Sequence, residues 1–158
     1  MGKKTGANPT DRGKTGVKRS VLCDGAGIPI GLAVDGANRH DMKLTRPTLQ
    51  TLAIKRPQPG PYRRQHLYLD KAYDFDEVRE LLDQRDYTAH IVARGVEVAQ
   101  LRKDTRKKAR RWVVERTHSW LNRFRRILIR WEKKADNYIG LLHFVFGLIA
   151  FRSIGIHV

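Results

Sequence analysis

A chain of 158 residues with 41% hydrophobic side chains is long enough for one domain with a real core. Its single cysteine, Cys23, excludes an internal disulfide and a cysteine-rich zinc site, so a reducing, cytoplasmic setting is expected. The formal net charge of +16 points to an acidic polymer as partner rather than to a small neutral ligand.

The charge is localised. Residues 1–20 carry six basic residues against one acid, and residues 102–134 carry fourteen against three, so these two segments hold +5 and +11, the whole of the +16. A neutral body bearing two basic segments is the pattern of a nucleic-acid binder, where an evenly charged surface would serve only solubility. The most apolar stretch, residues 138–151, is interrupted by Gly140, His143 and Gly147 and is shorter than the roughly 20 residues a spanning helix needs. It is expected to be a buried core helix, and neither a membrane span nor an export signal or lipid anchor is expected.

In chain order, residues 1–16 are rich in Gly, Lys, Thr and Asn and are expected to form an irregular basic arm, with one domain over 17–158. Residues 18–23 and 28–34 flank Asp24-Gly25-Ala26-Gly27 and predict a β-hairpin. The strand-like run after these glycines excludes a nucleotide fingerprint, which requires a helix there. Met42, Leu44, Leu49 and Leu52 predict a short helix with Pro47 in its first turns, and residues 55–64, with three prolines, predict a loop.

Residues 66–70 predict a buried strand that ends on Asp70. Residues 74–84 predict a helix with Val78, Leu81 and Leu82 inward, and residues 89–93 a second strand, which makes a parallel βαβ unit. Residues 95–108 are a basic connector. From 110 to 133, Val113, Trp120, Leu121, Phe124, Ile127, Leu128 and Trp131 recur at helical spacing and predict one long amphipathic helix with arginines on its other face.

The chemistry rests on two acids. Asp70 stands at the carboxyl end of a parallel strand, where open α/β sheets expose functional residues, although an aspartate there also serves as a helix cap. Glu115 lies one turn beyond Arg111 in the most basic segment, where it is either a ligand held ionised by arginines or half of a surface ion pair. Phosphoryl transfer on DNA commonly uses two hard cations held by converging carboxylates. The six histidines show no zinc spacing, and none is assigned to a metal. Trp112, Trp120 and Trp131 sit among arginines and could stack on unpaired bases, but their helical spacing favours packing in the core.

Four blocks together resemble a known family. They are Gly6-Ala7-Asn8-Pro9-Thr10-Asp11-Arg12-Gly13-Lys14, then Gly36-Ala37-Asn38-Arg39-His40-Asp41, then Leu67-Tyr68-Leu69-Asp70-Lys71-Ala72-Tyr73-Asp74. The fourth is Arg111-Trp112-Val113-Val114-Glu115-Arg116-Thr117-His118-Ser119-Trp120-Leu121, continued by Phe124-Arg125-Arg126 and Arg130-Trp131-Glu132. In order and spacing the chain resembles the DDE transposases of bacterial insertion sequences, in particular the group named after insertion sequence five.

The resemblance implies an α/β ribonuclease-H-like mixed sheet flanked by helices. It implies Asp70 and Glu115 as the second and third catalytic acids and as ligands of Mg2+ or Mn2+ in a two-metal site. Arg111 would lie near the active site or the DNA phosphates, and Arg116, Arg123, Arg125 and Arg126 would bind DNA. His40 and Asp41 would have a supporting role at most. The implied partners are transposon ends and target DNA, with a homo-oligomer on DNA in the full enzyme. The family's first catalytic aspartate lies on a strand upstream of the Asn8-Pro9-Thr10-Asp11 block. Asp11, Asp24, Asp35 and Asp41 do not occupy that place, so the chain is expected to lack the first strand and to carry the later part of the catalytic domain. The rival expectation is a non-catalytic basic binder of nucleic acid.

Overall fold

The computed structural model describes residues 3–91 and 111–155. The expected basic connector over 95–108 falls outside the described residues. The elements run β1 (Gly6–Ala7), β2 (Thr15–Cys23), β3 (Pro29–Gly36), α1 (Met42–Gln50), β4 (Gln65–Leu69), a 3-10 turn (Lys71–Tyr73), α2 (Asp76–Asp83), β5 (Tyr87–Ile91), α3 (Arg111–Asn122), α4 (Arg125–Leu128) and α5 (Ala135–Ser153). They form two compact units, one of Met1–Ile54 with Val113–Val158 and one of Lys55–Trp112.

The first unit holds an antiparallel sheet of order β1-β2-β3. The hairpin expected around Asp24-Gly25-Ala26-Gly27 is present, with Val17 opposite Gly36 and Val21 opposite Leu32, and with a bulge between Leu22 and Cys23. The Asp24 carboxylate closes the turn by accepting from the amides of Ala26 and Ile28, both at 2.9 Å.

Within the stretch expected to be irregular, Gly6–Ala7 pairs with Gly16 and Thr15. The intervening Asn8-Pro9-Thr10-Asp11-Arg12-Gly13-Lys14 block is a closed turn. The Asn8 side chain accepts from the Thr10 amide and hydroxyl at 3.1 and 2.8 Å, and Arg12 and Gly13 take left-handed backbone angles. Low apolar content concealed this order because side-chain and turn hydrogen bonds hold it, not burial.

Helix α1 packs on β3 and β2 through Leu44, Thr45, Thr48 and Leu49, with the Thr48 hydroxyl 2.8 Å from that of Ser20. Pro47 lies inside this helix. The chain leaving α1 covers the outer edge of β3: the Thr51 hydroxyl bridges the amide and carbonyl of Leu32, and the Ala53 amide donates to Ile30 at 2.8 Å. The core of this unit joins Leu32 and Val34 of β3, Leu121 of α3, Ile127 of α4, and Tyr138, Leu142, Val145, Phe146 and Ile149 of α5. Residues 138–151 thus lie within a core helix, and among the described residues no helix is long and apolar enough to cross a membrane.

The long helix expected over 110–133 is instead broken. Phe124 leaves helical geometry with φ −89° and ψ 89°, and Ile129 is extended. At the second break, after Leu128, the cause is tertiary. The Ile127 carbonyl accepts from the Tyr138 hydroxyl at 2.9 Å and from Arg19 at 3.4 Å, so side chains satisfy it where a helix would use a later amide. Of the three tryptophans expected in the core, Trp120 packs against it, whereas Trp112 is 50% and Trp131 68% exposed.

The second unit is a βαβ motif. β4 and β5 pair in parallel with Gln65 opposite Tyr87 and Leu69 opposite Ile91, and α2 buries Val78, Leu81 and Leu82 as expected. β5 begins two residues before the expected 89–93 strand. The architecture is a mixture of α and β, and among the described residues three antiparallel strands lie in one unit and two parallel strands in the other. Among the described residues, no strand joins the two into the single mixed sheet that was expected.

Candidate active site

Asp70 follows β4 directly. Its backbone remains extended, with φ −71° and ψ 159°, so the alternation of the strand puts it on the side of His66 and Tyr68 while Leu67 and Leu69 take the other. It occupies the residue before the 3-10 turn, whose Tyr73 amide donates to the Asp70 main-chain carbonyl at 2.9 Å. The carboxylate itself makes no capping hydrogen bond. The structural explanation for a strand-terminal aspartate, that it caps the next turn, is therefore not what this side chain does.

The surroundings of Asp70 are polar. The His66 and His90 rings meet at 2.9 Å between Nδ1 and Nε2, and Tyr68 stacks on His90 with centroids 4.5 Å apart. Burial first, and the neighbouring His66 second, lower the His90 pKa below its ordinary value, which favours the neutral ring. Asp74, expected at the start of the helix, instead receives Arg79 in an ion pair, and α2 opens on Asp76 and Glu77, acids suited to its amino-terminal dipole.

Glu115 lies on α3 and is exposed. It belongs to the first unit and Asp70 to the second. Arg111 is the first residue of α3, and its side chain lies outside the description. Arg123, Arg125 and Arg126 are exposed around the break between α3 and α4. Arg116 is turned inward: it donates to the Ala26 carbonyl in the hairpin turn, and its guanidinium lies 4.8 Å over the Trp120 ring. Among the described residues, no three His, Cys, Asp or Glu side chains converge as a metal cluster.

Two features escaped the sequence reading. Asn38 sits against Gly6 and Gly36, so close that a Cβ on Gly36 would meet its Oδ1 at 2.7 Å, and Lys18 pairs with Asp41 at 3.1 Å. The block containing His40 and Asp41 therefore locks the end of β3 to β1 and β2. Arg130 likewise spends its guanidinium on main-chain carbonyls rather than on solvent. Nothing in a one-dimensional run of arginines distinguishes an arginine that binds backbone from one that faces a phosphate.

Comparison with known proteins agrees with the broader part of the resemblance read from the four blocks, a DDE transposase. The profile of the family described as "Transposase DDE domain" matches residues 1–146. A protein of Burkholderia cepacia described as a transposase for insertion sequence element IS402 is 36% identical over 154 residues, which cover 96% of this chain and 70% of that relative. No solved structure matches the chain significantly. With the family profile running from the first strand into the core helix α5, the chain belongs to the transposase DDE domain family.

Proposed function

We propose that the chain acts in DNA transposition as catalytic-domain sequence of an insertion-sequence transposase of the group named after insertion sequence five, with Asp70 and Glu115 as acids of a ribonuclease-H-like active site. The observation that carries the reading is the place of Asp70: an exposed acid immediately beyond a parallel strand, inside a chain of this family. Family membership implies dependence on divalent metal in general, and the donor set suits it, since carboxylate oxygens are hard ligands for Mg2+ or Mn2+. Asp70 and Glu115 would hold the ions. When bound, such ions favour the attacking oxygen and the leaving oxygen of a phosphodiester.

The basic residues do the binding in this proposal. Arg123, Arg125 and Arg126 project from the α3–α4 break and contact DNA phosphates, and Arg111 and Arg116 continue the same basic run upstream. Arg116 also holds the hairpin turn through the Ala26 carbonyl, so its loss would act on structure as well as on DNA. The DNA is that of transposon ends and target, held by a homo-oligomer in the full enzyme, in the cytoplasm.

The test is titration of the protein with Mn2+, followed by a nicking assay in its presence. Asp70→Ala and Glu115→Ala should each weaken Mn2+ uptake by more than about tenfold, because even loss of an outer-shell partner costs on the order of 10- to 100-fold. Any Mn2+-dependent nicking should disappear in both variants. Mn2+ uptake equal to that of the unaltered chain in both would overturn the assignment.

A further inference from the structure

We propose that the loop between α4 and α5 seats an unpaired nucleotide, with Trp131 stacking on the base and the surrounding lysines meeting the flanking phosphates. This rests on the DNA reading above and adds the form of DNA that the loop takes. Trp131 is 68% exposed, more than either other tryptophan, although its helical spacing predicts a place in the core. The cause is the break in the helix after Leu128, which turns the indole away from the core that Ile127 enters.

The loop is held in this form by its own neighbour. Arg130 donates through Nε to the Glu132 carbonyl at 2.9 Å, through Nη2 to Lys133 at 3.0 Å, and through Nη1 to Lys3 at 2.7 Å and Lys4 at 3.4 Å. A guanidinium bonded to four carbonyls is a rivet, and it pre-organises the indole beside it at little further entropic cost. It also draws the amino-terminal basic segment to the later one. Lys4 sits at φ 61°, a left-handed angle rare for a residue with a side chain, so this junction is held against a local preference.

The charge around Trp131 selects the partner. Lys3, Lys4, Lys133 and Lys134 are all exposed along the two stretches joined by Arg130. The acid among them, Glu132, is turned inward with its side chain only 8% exposed and lies 2.8 Å from Arg126. What remains outward is the indole, following the exposed Leu128 and Ile129 in the chain, together with four lysines on the two stretches that Arg130 joins. That pairing is how single-stranded nucleic acids are held, by stacking that every base offers and by neutralised phosphates. A fully paired duplex presents no free base face to the indole. The lysines favour an anionic partner over an apolar protein surface, since charged residues are depleted at protein–protein interface cores.

The experiment measures the affinity of the whole chain for a blunt duplex and for the same duplex with four unpaired nucleotides at one end, using Trp131→Ala and Trp131→Phe. An exposed position leaves the fold intact, which equal melting temperatures verify. The proposal expects Trp131→Ala to lose about tenfold on the unpaired-end DNA and less than about twofold on the blunt duplex, with Trp131→Phe retaining most of the difference. Equal losses on both, or none on either, overturn the stacking role while leaving the DNA reading standing. An unaltered chain that binds neither DNA removes both.

Discussion

Tyr138 is fully buried, yet it carries a hydroxyl, and the way that hydroxyl is satisfied shows how single side chains hold this fold. It donates to the Ile127 carbonyl at 2.9 Å, at the point where α4 gives out. Tyr138→Phe should therefore cost about 0.5–1.5 kcal/mol in urea unfolding, the net worth of one hydrogen bond, because Arg19 still reaches the same carbonyl. An unchanged unfolding midpoint would show that Arg19 alone satisfies it. His118 gives a residue-scale prediction in pH. Burial first, and the Arg19 charge second, lower its pKa below the ordinary 6.5. Between that lowered value and 6.5 the unfolded chain binds the proton more readily than the folded one, so stability falls as pH drops through this range. Melting curves at pH 8 and pH 5 should show the native protein losing more stability than His118→Gln. Parallel losses would place the cost elsewhere, for example at His90, which is shifted in the same direction.

Elements here are joined by a few polar contacts laid over a shared core. The hairpin turn is pinned to α3 by Arg116 at the Ala26 carbonyl and by the fully buried Thr117, whose hydroxyl lies 2.7 Å from the Gly27 carbonyl. Gly27 sits at φ 85°, and a Cβ there would lie 2.9 Å from the Arg116 guanidinium. Gly27→Ala should consequently destabilise by more than about 1 kcal/mol, backbone strain adding to a displaced anchor, and circular dichroism melts would register it. This joint also marks how far sequence patterns reached. The hairpin and the βαβ unit were legible because alternation and helical spacing report which face is buried, and the place of Asp70 followed from them. The break after Asn122 was not, since the apolar residues from Val113 to Trp131 keep helical spacing through it. The second break, after Leu128, is decided by contacts of Arg19 and Tyr138, distant in sequence, at the Ile127 carbonyl. Strand β1 was hidden for a related reason: turn chemistry at Asn8 and a left-handed pair at Arg12 and Gly13 build it, and neither needs an apolar residue. Glu115 was singled out chiefly by family resemblance, because an acid among arginines on an exposed helix looks the same whether it binds metal or a neighbouring side chain.

On the scale of the whole molecule, the segregation of charge outweighs its amount. An excess of +16 spread evenly would repel itself and serve solubility, but here it lies in residues 1–20 and 102–134, and Arg130 bonds the two segments together at Lys3 and Lys4. Counterions that gather on such a concentration of cations, and on the DNA it meets, are released on binding, which makes affinity a steep function of salt. Arg123, Arg125 and Arg126 are exposed and lie within this charge, and Arg126 pairs with Glu132 at 2.8 Å. Replacing all three by alanine should reduce the slope of log affinity against log salt by about 2 to 3, since each phosphate contact contributes about 0.9. A control with Lys55, Arg63 and Arg64 replaced removes as many charges from the neutral body and should change the slope by less than about 1. The comparison separates two physical pictures. If binding responded only to net charge, the two triple variants would lose equal slope, because each lowers the charge by the same amount. If the α3–α4 break is where phosphates dock, the first variant alone flattens the salt dependence, and the affinity it keeps at low salt measures what Lys3, Lys4, Lys133 and Lys134 hold without it.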